Sequence, residues 1–269
     1  MNGRALAVAA SAALTLGLAG CETVRPSVVP LRTLEQPAPC GPVDTLVVML
    51  PGSYSLPEEF QREGFVRTLR ARQVAADVLL VDAHLGYYRD RTIIERLHAD
   101  VVQPARARGV RQVWLVGISL GAVGAMLYAD EHPQALDGVV LLAPFLGTRL
   151  TALEIENAGG LTQWPAPPRR PDEELDVRLW RWLKKQSAPG AAPLRIVQGY
   201  GLDDRFAYNN RLFSQSLPPA QVFTTPGGHD WPAWNDLWHR MAQTLPLPRS
   251  PACQVAGASE PVTPAAPPP

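Results

Sequence analysis

Residues 112–125, QVWLVGISLGAVGA, join a short apolar run rich in β-branched residues to a small-residue helical pattern, and the two meet at Gly117-Ile118-Ser119-Leu120-Gly121. A strand that turns this sharply into a helix strains the residue at the corner. The residues two before and two after the corner must be nearly free of side chain if strand and helix are to approach, and Gly117 and Gly121 meet that need. The corner lifts Ser119 Oγ off the sheet edge. Leu120 opens the helix, so its backbone N–H has no intrahelical partner and is free to donate to an anion.

The rest of the chain repeats the alternation. Residues 44–50, 76–82, 112–117, 138–143, 194–198 and 221–225 read as strands, and helical patterns lie near 58–72, 92–108, 120–130, 206–217 and 234–243. The strands are near-continuous apolar runs, as expected when helices cover both faces of a mostly parallel sheet. The expected fold is therefore α/β, a three-layer α/β/α sandwich. Residues 145–193 break the rhythm with Trp164, a Pro-Pro-Arg-Arg-Pro stretch and a Trp180/Trp182 helical pattern.

A serine hydroxyl is a weak nucleophile until a base takes its proton, and the base needs an acid to orient it. The strand at 194–198 runs into Gly199-Tyr200-Gly201-Leu202-Asp203-Asp204, and the strand at 221–225 into Pro226-Gly227-Gly228-His229-Asp230-Trp231. Both loops fall at the carboxyl edge of the sheet. Of the five histidines only His229 has this placement: His98 and His239 fall within helical patterns, His132 precedes Pro133, and His84 follows a strand. Asp203 and Asp204 compete as the acid, while Asp230 reads as a helix cap before Trp231.

With corner, acid loop and histidine loop in this chain order, the sequence resembles an α/β-hydrolase over about residues 44–245. The run Gly-Gly-His-Asp-Trp-Pro-Ala-Trp resembles a bacterial esterase branch of that superfamily. The resemblance implies Ser119 as nucleophile and His229 as base and then acid. Asp204 is favoured as the orienting acid because Gly201-Leu202-Asp203-Asp204 repeats the family's Gly-x-x-Asp loop. The oxyanion hole would combine the N–H of Leu120 with that of Ser53, Tyr54 being second choice, in the Leu50-Pro51-Gly52-Ser53-Tyr54 loop; many relatives have His-Gly where this chain has Pro51-Gly52. Residues 145–193 would form the cap insertion. The expected activity is cleavage of a small-molecule or lipid carboxylic ester through an acyl-enzyme, with no cofactor. The same residues would serve thioester cleavage or acyl transfer, and the rival reading is a non-catalytic envelope lipoprotein that uses the fold for binding.

The ends of the chain set its location. Arg4 and the apolar run at 5–18, too short to span a bilayer, read as a signal peptide over 1–20. Leu18-Ala19-Gly20-Cys21 resembles a bacterial lipobox, which implies acylation of Cys21 and, with Glu22 following, lipid anchoring in the outer membrane facing the periplasm. Residues 21–43 read as a flexible tether and 246–269 as a Pro/Ala-rich disordered tail. Cys40 and Cys253 flank the domain and are positioned to pair in an oxidising compartment. The formal net charge of zero and the lack of a basic run exclude nucleic acid as a partner, and no metal-ligand spacing is present. A monomer is expected.

Overall fold

The strands form where residues on both sides of the chain are apolar. In the computed structural model, which describes residues 25–188 and 194–254, strand β2 (Thr45–Leu50) is buried along its whole length. Leu46, Val48 and Leu50 enter one core while Val47 and Met49 enter the other, so the period-two alternation divides one run between two layers. In β4 (Gln112–Ile118), Val113 and Leu115 are likewise separated from Trp114 and Val116.

With β1 (Thr33–Gln36), β3 (Asp77–Val81), β5 (Gly138–Leu142), β6 (Arg195–Gly201) and β7 (Val222–Thr225), these make one seven-stranded sheet in the order β1-β3-β2-β4-β5-β6-β7. Every pairing is parallel except β1 with β3. Helices α1 (Pro57–Arg62), α2 (Phe65–Ala71) and α10 (Trp231–Thr244) bury side chains in the core on one face. Helix α6 (Leu120–Glu131), with α4 (Ile93–Arg96) and α8 (Leu175–Gln186), serves the other. The expected three-layer α/β/α fold is the fold observed.

Several boundaries differ from the sequence reading for physical reasons. The tether expected over 21–43 is not one from Arg25 onward: residues 33–36 add an antiparallel strand to the sheet edge, and Leu31 and Ala38 are buried. The buried Arg70 holds that strand, donating to the carbonyls of Ala76 (2.8 Å), Gln36 (2.7 Å) and Pro37 (3.1 Å). At the other end residues 246–254 also pack. Leu247 is buried, Ala75 N–H donates to Pro248 O at 2.8 Å, and Ser250 N–H to Gln73 O at 2.9 Å. Cys40 and Cys253 are joined as a disulfide, with Cα atoms 4.5 Å apart. Residues 1–20, read above as a signal peptide, Cys21 and residues 255–269 lie outside the described residues.

The helix expected over 58–72 breaks at Gly64, whose φ of +82° is a left-handed conformation that ends α1 and starts α2. The one near 92–108 is α4, a π-helical turn over Leu97–Val102 and α5 (Gln103–Ala107) in succession, with Pro104 in the last piece. Proline cannot donate to the carbonyl four residues back, and a wider turn before it accommodates the loss. Helix α3 (Leu85–Arg89) was not foreseen. In the 145–193 insertion, α7 (Arg149–Asn157) and α8 bring Trp180 and Trp182 into the core, and Trp180 Nε1–H donates to Leu146 O at 3.0 Å. These tryptophans fasten residues 145–188 to the domain.

Candidate active site

Ser119 stands at the corner between β4 and α6 with φ 52° and ψ −108°, strained for any residue bearing a Cβ. The corner is tight because a Cβ on Gly117 would run into the backbone of Gly121 and Ala122, and one on Gly121 into the Leu50 carbonyl. Ser119 N–H donates to Leu142 O at 2.9 Å, tying the corner to the end of β5. Ala143, the next residue there, is also left-handed at φ 45°, a strained position the sequence does not announce.

Strand β6 runs three residues further than the sequence reading gave it, because Gly199, Tyr200 and Gly201 pair with Phe223, Thr224 and Thr225 of β7. The acid loop therefore starts at Leu202. Asp204 follows with its side chain fully buried, one oxygen accepting from Phe206 N–H at 2.7 Å and the other 2.7 Å from His229 Nδ1. An ionised carboxylate can only accept, so Nδ1 carries the proton. In the neutral ring Nε2 is then the acceptor for the Ser119 hydroxyl, 2.9 Å away. Serine, histidine and aspartate form one hydrogen-bonded chain.

Asp203 is outside that chain. Its carboxylate accepts from Gly227 N–H at 3.2 Å and its own N–H donates to Gly227 O at 3.0 Å. Asp230 caps α10, accepting from Ala233 N–H at 3.3 Å. Of the remaining histidines, His84 caps α3 through Nδ1, and burial, with Arg25 second, holds its imidazole below the usual range. His98 and His132 stack on each other with ring centres 4.1 Å apart, away from Ser119. Among the described residues no group of three or more His, Cys, Asp or Glu side chains is placed to hold a metal.

Leu120 is the first residue of α6, so its N–H points out of the helix end beside Ser119. Ser53 lies in the turn after β2, where the preceding Gly52 backs onto the serine: a Cβ there would stand 3.8 Å from Ser119 Cβ. Two aromatic residues missed in the sequence frame the imidazole. Phe206 and Trp234 meet the His229 ring edge to face, at 5.0 Å and 89° and at 5.1 Å and 90°. Trp234 belongs to the Gly-Gly-His-Asp-Trp-Pro-Ala-Trp run and was open to notice; Phe206, two residues after the acid, carried no such signal. A separate cavity of about 820 Å³ lies between α4, α6 and the start of α8, where Ile94, Leu127 and Arg178 line it, and it includes none of the three polar residues. The reacting geometry is thus at the sheet's carboxyl edge and not in that cavity.

A mostly parallel sheet whose central strand delivers a strained serine to a histidine on a later loop defines an α/β-hydrolase. The chain belongs to the alpha/beta hydrolase family, whose model matches residues 47–268. Solved structures show the same fold. The chain is similar to an S-formylglutathione hydrolase from Staphylococcus aureus (TM-score 0.54, 15% identity, 81% of this chain and 97% of that one). It is also similar to Est1E from Butyrivibrio proteoclasticus, solved with ferulic acid bound (TM-score 0.51, 18% identity, 79% and 92%). No curated protein sequence matches.

Proposed function

We propose that this protein is a serine esterase that cleaves carboxylic esters through an acyl-enzyme. The carrying observation is the unbroken chain from Ser119 Oγ through His229 to Asp204, at 2.9 and 2.7 Å. In this reading Ser119 attacks the ester carbonyl as His229 Nε2 takes its proton. Asp204 fixes the tautomer and stabilises the imidazolium, and the N–H groups of Leu120 and Ser53 hold the oxyanion. His229 returns the proton to the leaving alkoxide, and water repeats the sequence on the acyl-enzyme. Replacing Ser119 by alanine removes only Oγ. The expected result is loss of fluorophosphonate labelling and of hydrolysis across a panel of acyl esters, by about 10³-fold or more, with the melting temperature kept. Wild-type labelling of that variant would sink the assignment.

The location is proposed on the sequence alone: a lipoprotein acylated at Cys21, held in the bacterial envelope at the outer membrane with the domain in the periplasm. Among the described residues no helix is long and apolar enough to cross a membrane. Mass spectrometry of the mature amino terminus from a lipoprotein-processing host tests this, since an unmodified terminus other than Cys21 would refute it and leave the esterase reading intact.

A further inference from the structure

Exposed apolar side chains are unevenly distributed over this domain. The six most exposed large hydrophobic residues among those described are Tyr54, Val29, Leu150, Leu202, Val28 and Leu56, from 84% down to 49% accessible. All six sit where the parallel strands end. Tyr54 and Leu56 follow β2, Leu202 follows β6, and Leu150 is in the first turn of α7, which the chain enters from β5. Val28 and Val29 precede β1, which runs antiparallel to β3 and so begins at the same edge. This is the edge that carries Ser119, Asp204 and His229. Single exposed apolar residues are ordinary; six gathered on one edge of a sheet call for a partner.

The way the chain reaches this edge names the partner. The Arg25 guanidinium grips Asp82, the residue after β3, through two hydrogen bonds of 3.1 and 3.0 Å, and the Tyr87 hydroxyl bonds both the N–H and the C=O of Val28. The first described residue is therefore fixed at the active-site edge. Cys21 is four residues earlier in the sequence, a reach of about 14 Å at full extension. A lipid on Cys21 would hold the bilayer within that distance of Arg25.

Charge agrees with this placement. The acidic groups beside the entry point are engaged: Asp82 by Arg25, Glu58 by Arg32 and Asp90 by Arg89. Arg149 and Arg205 lie over the rings of Tyr208 and Phe206, 4.0 and 4.9 Å from the ring centres, and make no ion pair among the described residues. They are cations suited to phosphate head groups.

We infer that the carboxyl edge of the sheet, with Tyr54, Val29, Leu150 and Leu202 foremost, docks on the surface of the bilayer that holds Cys21, so that Ser119 meets esters presented by the membrane. The inference rests on the lipoprotein and esterase readings above, and its test separates them. The lipidated full chain, carrying one fluorophore at Leu150→Cys, Val29→Cys or Ala107→Cys, is reconstituted in phosphatidylethanolamine/phosphatidylglycerol vesicles containing a spin-labelled phospholipid. Ala107 ends α5 at the opposite edge. The labels at 150 and 29 should be quenched about threefold and that at 107 little, since an interfacial face enters the head-group region while the far edge stays in water. Equal quenching at all three positions, none at 150 and 29, or a dimer in sedimentation with this face covered by a second copy would overturn it. Fluorophosphonate labelling of Ser119 in the same vesicles reads the esterase assignment independently. A Val28→Ser/Val29→Ser/Leu150→Ser variant should keep its rate on a water-soluble short-chain ester and lose about tenfold on a long-chain ester held in vesicles; an unchanged vesicle rate would also count against docking.

Discussion

Asp203 and Gly227 exchange two hydrogen bonds, the N–H of each donating to an oxygen of the other at 3.0 and 3.2 Å. The pair locks the acid loop to the histidine loop and leaves the neighbouring Asp204 to face the imidazole. The two aspartates should therefore respond differently to the same change. Asp204→Asn should lower kcat by about 10³–10⁴-fold, because the amide favours the wrong histidine tautomer. Asp203→Asn keeps an oxygen to accept from Gly227 N–H and should cost less than about tenfold. Steady-state kinetics on one ester decide it, and equal losses would mean that the orienting role is shared.

The disulfide joins residues 213 apart, one ahead of the first parallel strand and the other in a short 3₁₀ turn (Pro251–Cys253) after α10. Closing so long a loop restricts the unfolded chain, with a ceiling of about 5 kcal/mol in the chain-entropy treatment. Cys40→Ser/Cys253→Ser should lower the unfolding free energy by about 2–5 kcal/mol while leaving kcat at 25 °C near the parent value. Denaturant titrations with and without reductant measure this. A large loss of activity in the folded variant would show that the clamp reaches the site.

Asn210, on α9 (Ala207–Ser214), is wholly buried and donates to Pro144 O at 3.2 Å and Phe206 O at 3.0 Å, while its own side-chain oxygen accepts from Gln198 Nε2 at 2.9 Å. It ties the end of β5 to the residue that flanks His229. Asn210→Ala should destabilise by about 2–3 kcal/mol, since the Pro144 carbonyl is left buried without its partner. We also expect kcat to fall more than KM rises, because the side chain that joins the Pro144 and Phe206 carbonyls is lost and Phe206 O keeps only the backbone N–H of residue 210, at 3.1 Å. Urea melts and kinetics on one preparation separate the two effects.

His132 sits at the end of α6, stacked on His98 and 4.8 Å from the Tyr128 ring. Burial first, and His98 second, hold its imidazole below the ordinary histidine value of 6.5. A base whose folded-state affinity for protons is lowered binds more protons when unfolded, so its contribution to stability is complete above about 6.5 and declines as pH falls. Unfolding free energy should therefore drop more steeply between neutral pH and pH 5 in the wild type than in His132→Gln. Parallel slopes would remove His132 from the acid response.

Most of the fold was legible because its information is local. Strands β2, β4 and β5 are runs of mostly apolar residues buried on both faces, and a parallel sheet covered by helices on both sides hides such runs. The order of serine, acid and histidine loops was legible for the same reason, since each follows its own strand. The choice between Asp203 and Asp204 rested on the resemblance to the family's Gly-x-x-Asp loop alone, because physically it depends on which side of the loop meets Gly227. Strand β1 escaped notice because Thr33-Leu34-Glu35-Gln36 has no apolar signature, its formation resting on the free edge of β3 and on the Arg70 guanidinium. Of the aromatic frame of His229, Trp234 stood in the histidine run, while Phe206 was hidden because it comes from a different loop.

Leu120 through Ala129 are buried without interruption, so the helix that begins at the reactive serine meets solvent only at its last two residues. A helix of this kind leaves evolution little room for adjustment. A larger side chain disturbs one core or the sheet, and a polar one is left without water. Foldability and catalytic geometry are thus written into the same dozen residues and cannot drift apart. Divergence toward new substrates has to run through the carboxyl-edge loops, where a changed side chain can alter what the serine meets without altering where the serine stands.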